Sequence, residues 1–139
     1  MKLSTRGRYG LRAMADLAIH AGGSPVTLAD IAQRQSISDG YLESIFAMLK
    51  KAGLVRSVKG AGGGYLLARP AADIRAGEVL EALEGDLSII EPESAAQTSR
   101  LNACINEHVW DAVSSRIRSV VDDVTLQQLI DNPQGKPRA

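Results

Sequence analysis

Apolar residues recur every three or four positions in three stretches of the first half of the chain. This spacing places them on one face of an amphipathic helix. Thr27 and Ser38 precede two of the stretches and are typical N-cap residues, and Gly53 follows the third, where helices commonly end on glycine. The predicted helices run from about residue 5 to residue 21, from Leu28 to a turn at Gln35-Ser36-Ile37, and from Asp39 to about residue 52.

Residues 54–68 predict a β-hairpin after these helices. Residues 54–58 alternate between apolar and polar side chains, residues 59–64 form a glycine-rich tip, and residues 65–68 are the returning strand. Two short helices joined by a turn, after a first packing helix, form a helix-turn-helix, and the hairpin adds a wing. The predicted fold class is therefore mainly α with a small β-hairpin wing.

The second half predicts a short helix over about residues 76–83, a loop over 85–99 and a long helix over about 100–124. The long helix keeps an apolar spacing of three or four over roughly six turns or more. So small a domain cannot bury so long a stripe, and a second copy of the chain is the expected partner. Thr125 is predicted to cap a short terminal helix. The predicted dimer stripe consists of Leu101, Ile105, Val109, Val113, Ile117, Val120 and Val124.

The length of 139 residues fits one compact domain or a small domain with an appendage. A hydrophobic fraction of 45% argues against wholesale disorder. The predicted division is a winged helix-turn-helix over residues 1–70, a connecting helix and loop over 71–99, the long dimerisation helix with the short terminal helix over 100–131, and a frayed tail over 132–139.

The charges are segregated along the chain although the net charge is zero, with 16 basic and 16 acidic residues. Residues 1–69 contain ten basic and four acidic residues, a net charge of +6, which leaves −6 for the remainder. Such an asymmetry indicates that the first half meets a polyanion.

Several classes of protein are disfavoured by the sequence. No apolar run approaches the roughly 18–20 residues that span a bilayer, and Gly7, Arg8 and Arg12 interrupt any signal-peptide pattern. A single cysteine excludes an internal disulfide framework. No paired carboxylates, nucleophile–base pair or metal triad stand at a usable spacing. We expect a cytoplasmic protein that is not an enzyme and does not associate with a membrane.

A series of segments in register resembles the Rrf2 family of bacterial winged-helix regulators over roughly residues 1–130. The matching segments are Gly7-Arg8-Tyr9, Val26 to Ile31, Tyr41-Leu42-Glu43, Gly53-Leu54-Val55, Gly60 to Leu67, Gly77-Glu78-Val79, Trp110 and Thr125-Leu126. The resemblance implies a homodimeric DNA-binding repressor or activator that dimerises through its long C-terminal helix. It also implies that the loop within residues 71–99 is a sensor region, because many members sense through an iron–sulfur cluster.

The helix-turn-helix geometry places the start of the third helix against base edges in the major groove. There Glu43 can accept from a cytosine amino group, and Tyr41 can donate its hydroxyl to a phosphate. In similar proteins the wing enters the minor groove with a basic residue at the position of Lys59. The predicted DNA-binding residues are Arg6, Arg8, Tyr9, Thr27, Ser38, Gly40, Tyr41, Glu43, Ser44, Lys59, Gly60, Gly62 and Gly63.

Three of these residues depart from the family pattern. Lys59 stands where the pattern has Arg, and Gly40 and Ser44 also differ, which leaves the base preference open. The alternative for Glu43 is a solvated carboxylate that contacts no base. The glycine run lacks the Gly-Lys-Ser/Thr ending of a phosphate-cradling loop and lies between two strands, so a nucleotide site is not predicted.

The sensor region departs further from the cluster-binding members, which carry three cysteines and a histidine. Their positions correspond here to Pro92, Thr98, Cys104 and Glu107, and His108 lies one residue beyond the last of them. One thiolate cannot supply the four protein ligands that a two-iron cluster ordinarily needs. We expect no cofactor, with a [2Fe-2S] cluster as the alternative if Glu107, His108 or the partner subunit supplies ligands.

Cys104 itself has two open interpretations: a small apolar residue beside the stripe, or a redox-sensitive thiol near the start of the long helix. The signal could be redox, iron–sulfur, sulfur-metabolic, a metabolite or a protein effector. We predict a homodimeric, sequence-specific transcription regulator, a repressor, that binds a palindromic operator in double-stranded DNA. The alternative is a protein-interaction module that uses its winged helix without DNA.

Overall fold

A computed structural model describes residues 3–90 and 99–131, which form helices and one two-stranded hairpin. The elements are α1 (Thr5–His20), α2 (Leu28–Gln35), α3 (Asp39–Lys51), β1 (Val55–Val58), β2 (Gly64–Leu67), a 3-10 turn (Ala71–Asp73), α4 (Ala76–Glu84), α5 (Arg100–Ile105), a π-helical turn (Asn106–Trp110), α6 (Asp111–Asp122) and α7 (Leu126–Asp131). This confirms the predicted fold class. The predicted tail over 132–139 lies outside the described residues.

The predicted helix ends are confirmed by their hydrogen bonds. The hydroxyl of Thr27 accepts from the backbone N–H of Asp30 at 3.2 Å, and that of Ser38 accepts from the N–H of Tyr41 at 3.3 Å. Between them Ser36 takes a left-handed conformation, with φ 55° and ψ 47°, which turns the chain sharply from α2 towards α3. The turn of the helix-turn-helix is therefore set by local side-chain and backbone geometry.

The observed strands differ from the predicted ones by one residue: β1 begins one residue later, and β2 begins and ends one residue earlier. Leu54 and Ala68 were both expected in strands but lie just outside them, joined by a backbone hydrogen bond of 3.0 Å. The strands pair antiparallel, and β2 is also bonded to the segment before α2, because Val26 and Tyr65 exchange two backbone hydrogen bonds of 2.9 and 2.8 Å. A Cβ on Gly64 would lie 2.4 Å from the carbonyl oxygen of Val26, so this crossing requires glycine.

The apolar core is formed by α1, α2 and α3 and continues past residue 70. Gly10 allows α1 and α4 to approach so closely that a Cβ there would lie 2.0 Å from Cδ1 of Leu83. The boundary at residue 70 stays a prediction, but the packing does not stop there. The later core residues are Ile74, Val79, Leu83 and Leu126.

The prediction of one regular helix over 100–124 is wrong in two respects. The helical segment ends at Asp122, and a π-helical turn over 106–110 separates α5 from α6. The spacing of the stripe explains this turn. From Leu101 to Ile117 the apolar residues stand four apart, and each such step drifts about 40° around an α-helix. A π turn accommodates one extra residue and so limits that drift.

Asp16 is the one buried charged residue in the described part of the chain, at 2% exposed. It lies on α1 and accepts hydrogen bonds from Arg34 at 2.8 and 3.0 Å and from Gln35 at 2.9 Å, both on α2. Burial opposes its ionisation, but these hydrogen bonds and the charge of Arg34 outweigh burial and hold the pKa of Asp16 below its usual value of 3.8. The pair fastens the first helix of the helix-turn-helix to α1.

Replacing Asp16 with Asn should lower the free energy of unfolding at neutral pH by about 2 kcal/mol, because hydrogen bonds to charged groups contribute about that much. A depressed pKa in the folded state adds stability that is present above the unfolded value and lost as the pH falls through the folded pKa. In urea unfolding the deficit should therefore shrink as the pH is taken below 3.8. Asp123→Asn, at an exposed carboxylate, is the control; an equal loss in both variants would contradict the assignment.

Candidate nucleic-acid interface

One face of α3 is buried and the other is free. The buried face consists of Leu42, Ile45, Phe46 and Leu49, as the apolar spacing of the third predicted helix indicated. Gly40, Glu43 and Ser44 are exposed on the opposite side. The side chains that were expected to read bases therefore lie at the surface, on a helix whose own rear face fixes it to the domain.

The N-terminal ends of α1 and α3 meet through a small cluster of side chains. The hydroxyls of Thr5 and Tyr41 lie 2.7 Å apart, and the rings of Tyr9 and Tyr41 pack edge to face with centroids 6.1 Å apart. The guanidinium of Arg12 lies 5.0 Å from the Tyr9 ring centroid, within cation–π range. Tyr9 and Tyr41, predicted separately, are thus brought into one contact.

Thr5 belongs to this cluster of side chains, and the sequence analysis did not predict it. Its spacing of four residues from Tyr9 on one helix face was the available signal. The hydroxyl of Tyr41 is already hydrogen-bonded, yet a pair of hydroxyls has two hydrogens and uses only one between them. One O–H of the Thr5–Tyr41 pair is therefore left to donate to another group.

The first turns of α1 carry two cations. Arg8 is exposed, and Arg6 is partly buried. Among the described residues, Nε of Arg6 is buried without a hydrogen-bond partner. Cations at a helix N-terminus oppose the helix dipole, so these two guanidiniums gain nothing locally from their position.

The hydroxyls of Thr27 and Ser38 serve as helix caps, and both residues are exposed. In each cap the hydroxyl oxygen accepts from the backbone, which leaves its own hydrogen free to donate. The partial positive charge of a helix N-terminus also favours an anion at both places. The caps of α2 and α3 can therefore hold the helices and face phosphates at once.

The wing is braced against α3. The rings of Phe46 and Tyr65 pack with centroids 4.9 Å apart, and Nζ of Lys50 donates to Oγ of Ser57 at 2.8 Å. This hydrogen bond gives Lys50 a partner on β1. The wing is thus held to the helix that carries Glu43.

The wing tip is a tight, exposed turn. Gly60 and Gly62 take positive φ values of 93° and 75°, and the N–H of Gly63 donates to the carbonyl of Gly60 at 3.0 Å. A Cβ on Gly63 would lie 2.2 Å from the carbonyl oxygen of Val58. Lys59 is exposed at the start of this turn, and Gly63 is partly buried.

The described residues of the sensor region form no group that could hold a cluster by themselves. Cys104, Glu107 and His108 are all exposed, the last two in the π-helical turn. No three His, Cys, Asp or Glu residues of the described segments are grouped so that they could hold a metal ion. Pro92 and Thr98 lie outside the described residues. An exposed Cys104 also does not pack into the core of its own chain.

The helix-turn-helix, the exposed face of α3 and the braced wing together define a winged-helix DNA-binding protein. Comparison with known proteins identifies the particular family. The Rrf2 family, described as an iron-dependent transcriptional regulator, matches residues 3–132. The chain belongs to the Rrf2 family and is a DNA-binding transcription regulator of that type.

Relatives and solved structures agree with this assignment. The chain is 45% identical over 130 residues to the HTH-type transcriptional regulator IscR of Vibrio atlanticus, covering 94% of this chain and 75% of that protein. Identity to IscR of Yersinia pseudotuberculosis is 41% over 132 residues, with coverages of 95% and 80%. The structure of CymR, the global cysteine regulator of B. subtilis, superposes with a TM-score of 0.80 at 36% identity, covering 94% and 97%. The structure of T. potens IscR superposes with a TM-score of 0.77 at 40% identity, covering 100% of this chain and 94% of that chain.

These similarities confirm several sequence predictions. The winged-helix class, the resemblance to the Rrf2 family and the role as a DNA-binding regulator are confirmed. The relatives are named transcription regulators, which confirms that the protein is not an enzyme and favours DNA binding over a purely protein-binding module. Among the described residues, no helix is long and apolar enough to cross a membrane.

Proposed function

We propose that the protein acts as a homodimer that reads a palindromic operator with α3 and the wing of each copy. The observation that carries this proposal is the orientation of the long helix. The face that carries Arg118 and Asp122 is fixed to α4, and much of the apolar stripe is exposed. A two-fold axis along that apolar face would present two copies of α3 to successive major grooves.

The face of α6 that carries Arg118 is held on α4 by an ion pair. Arg118 contacts Glu81 of α4 at 2.8 Å and, within α6, Asp122 at 3.3 Å. The guanidinium of Arg75 donates to the backbone carbonyl of Asp122 at 3.0 Å. Gly77 completes the contact, because a Cβ there would lie 2.1 Å from the Asp122 carboxylate. The rotation of the long helix about its axis is thereby set.

The opposite face exposes much of the predicted stripe. Leu101 is 68% exposed and Val120 is 66% exposed, and Val109 and Val113 are also exposed, at 40% and 42%. Trp110 adds a further exposed aromatic surface. Ile105, Ile117 and Val124 are partly buried. An apolar band along a helix of this length supports self-association, since single soluble chains seldom expose one.

Replacing both Leu101 and Val120 with Asp should convert the dimer to a monomer, because two charges per subunit would enter an apolar interface. Sedimentation velocity measures the change, and circular dichroism checks that each variant is folded. The control is Ser115→Asp, an exposed position that lies about half a turn around α6 from Val113. A double variant that sediments as the wild type would exclude this face as the interface.

The charge distribution supports DNA contact by the surface that α1, α3 and the wing form. The first 69 residues have a net charge of +6, and Arg8 and Lys59 are exposed. If about six side chains neutralise phosphates, the logarithm of the affinity should fall with the logarithm of the salt concentration with a slope of about −5. We infer that Lys59 supplies one of these contacts and that Glu43 reads a base.

Lys59→Ala should weaken binding to any duplex and make the salt slope shallower by about one, because one phosphate contact is lost. Glu43→Ala should instead relax the choice at one base pair, a discrimination of about 1–3 kcal/mol. Both are measured by fluorescence anisotropy on duplexes selected by the wild type from a randomised pool.

Arg100→Ala is the matched control for charge, since Arg100 is exposed outside the winged helix. It should leave the salt slope unchanged. If Lys59→Ala binds with wild-type affinity and slope at physiological salt, the wing does not contact DNA. If Glu43→Ala retains the wild-type base preference, Glu43 is a solvated carboxylate.

We infer that one chain holds no cluster by itself and that repression is relieved by another signal. The single cysteine and the exposed positions of Glu107 and His108 support this inference. The names of similar proteins include a global cysteine regulator and IscR, and CymR of S. aureus has been solved in an oxidised form. A redox or sulfur-metabolic signal, with Cys104 as a candidate thiol, is consistent with those names.

The visible absorption spectrum of protein purified without oxygen should show no iron–sulfur bands, because four protein ligands are not supplied by one chain. Metal analysis of the same sample provides the quantitative check. Cys104→Ala prepared in parallel serves as the reference. Bands that are present in the wild type and absent from Cys104→Ala would overturn the cluster-free assignment and identify Cys104 as a ligand.

A further inference from the structure

Glu84, the last residue of α4, reaches the N-terminus of α1. Its Oε1 accepts from the backbone N–H of Gly7 at 2.8 Å and from the N–H of Ser4 at 3.1 Å, and it also accepts from the Ser4 hydroxyl. A Cβ on Gly7 would lie 2.6 Å from that oxygen. The carboxylate therefore occupies the end of a helix that lies 77 residues away in sequence.

The first turn of α1 lacks an acidic residue of its own. Helix N-termini favour negative charge, yet this one carries Arg6 and Arg8. Glu84 supplies from another element the carboxylate that α1 does not encode locally. In this way the helix can keep two cations at its N-terminus without losing the stabilisation that an anion gives there.

The segment that Glu84 holds includes the predicted DNA contacts of α1. Thr5 and Arg6 lie between the two amides that it binds, and Arg8 and Tyr9 follow directly. Thr5 is in turn bonded to Tyr41 at the start of α3. A displacement of this end of α1 would move all of these side chains relative to α3.

We propose that Glu84 is a positioning residue for operator binding: it holds the N-terminal turn of α1 in register with α3 and does not itself touch DNA. The proposal rests on the proposed placement of DNA on α1 and α3. Electrostatics alone predicts the opposite effect, because a carboxylate near a phosphate-binding surface repels DNA and its removal should strengthen binding.

Two variants with the same charge separate these effects. Glu84→Gln removes the charge and keeps an oxygen that can accept from Gly7 and Ser4. Glu84→Ala removes both the charge and the acceptor. The probes are a duplex selected by the wild type from a randomised pool and a scrambled duplex of equal length and composition. Binding is measured at a temperature at which circular dichroism shows all variants folded.

Glu84→Ala should lose about tenfold in affinity for the selected duplex relative to the scrambled one, because the acceptor for the Gly7 and Ser4 amides is lost. Glu84→Gln should retain the wild-type ratio. Hydrogen exchange at the Gly7 amide should be faster in Glu84→Ala and close to wild type in Glu84→Gln. Asp123→Ala, which removes the same charge from an exposed carboxylate outside α1, α3 and α4, should leave the ratio unchanged.

Three results would overturn the proposal. One is a folded Glu84→Ala variant with wild-type or tighter specific binding. Another is an equal loss of specificity in Glu84→Gln and Glu84→Ala, which would assign the effect to charge. The third is unaltered exchange at Gly7 in Glu84→Ala. If the wild type selects no duplex, both the operator-binding function and the role of Glu84 fail, and that result is distinct from wild-type binding with unaffected variants.

Discussion

The close contact between α1 and α4 is the constraint on which the rest of the structure depends. Gly7 and Gly10 leave no room for a Cβ against Glu84 and Leu83, so these two helices lie closer than ordinary side chains permit. The apolar part of this contact is the buried side chain of Leu83. The polar part is the carboxylate of Glu84, which is bonded to the N-terminal end of α1. Glu84 and Leu83 together hold the N-terminal turns of α1 to α4.

The same short helix also contacts the long helix. Glu81 lies one turn before Glu84 and pairs with Arg118 of α6, while Gly77 allows Asp122 to approach. A movement of the long helix would therefore act on α4 before it acts on the DNA-facing helices. The Arg118–Glu81 pair is exposed, so it can change partners at small cost, unlike the apolar packing of Leu83.

Local signals in the sequence predicted most of the fold, and contacts between distant residues account for what was missed. The caps at Thr27, Ser38 and Gly53 were readable because each acts within its own helix end. The exposed face of α3 followed from the spacing of its apolar residues. The Thr5–Tyr41 hydroxyl pair and the reach of Glu84 to Ser4 depend on how helices pack, which no spacing specifies. The π turn had a signal in the sequence, because apolar residues that stand four apart would drift around the surface of a regular α-helix.

The segregation of charge along the chain becomes sharper when the ion pairs are considered. Near the winged helix, the carboxylates Glu78 and Glu81 pair with arginines, and Glu84 is bonded to the end of α1. Burial would raise the pKa of Glu78, but the Arg75 amide and Arg69 lower it, so it stays ionised and bound. Among the described residues, none of these ion pairs involves Arg8 or Lys59. Part of the negative charge of the second half is thus paired with arginines of the same chain, while the cations proposed to meet phosphate have no such pair among the described residues.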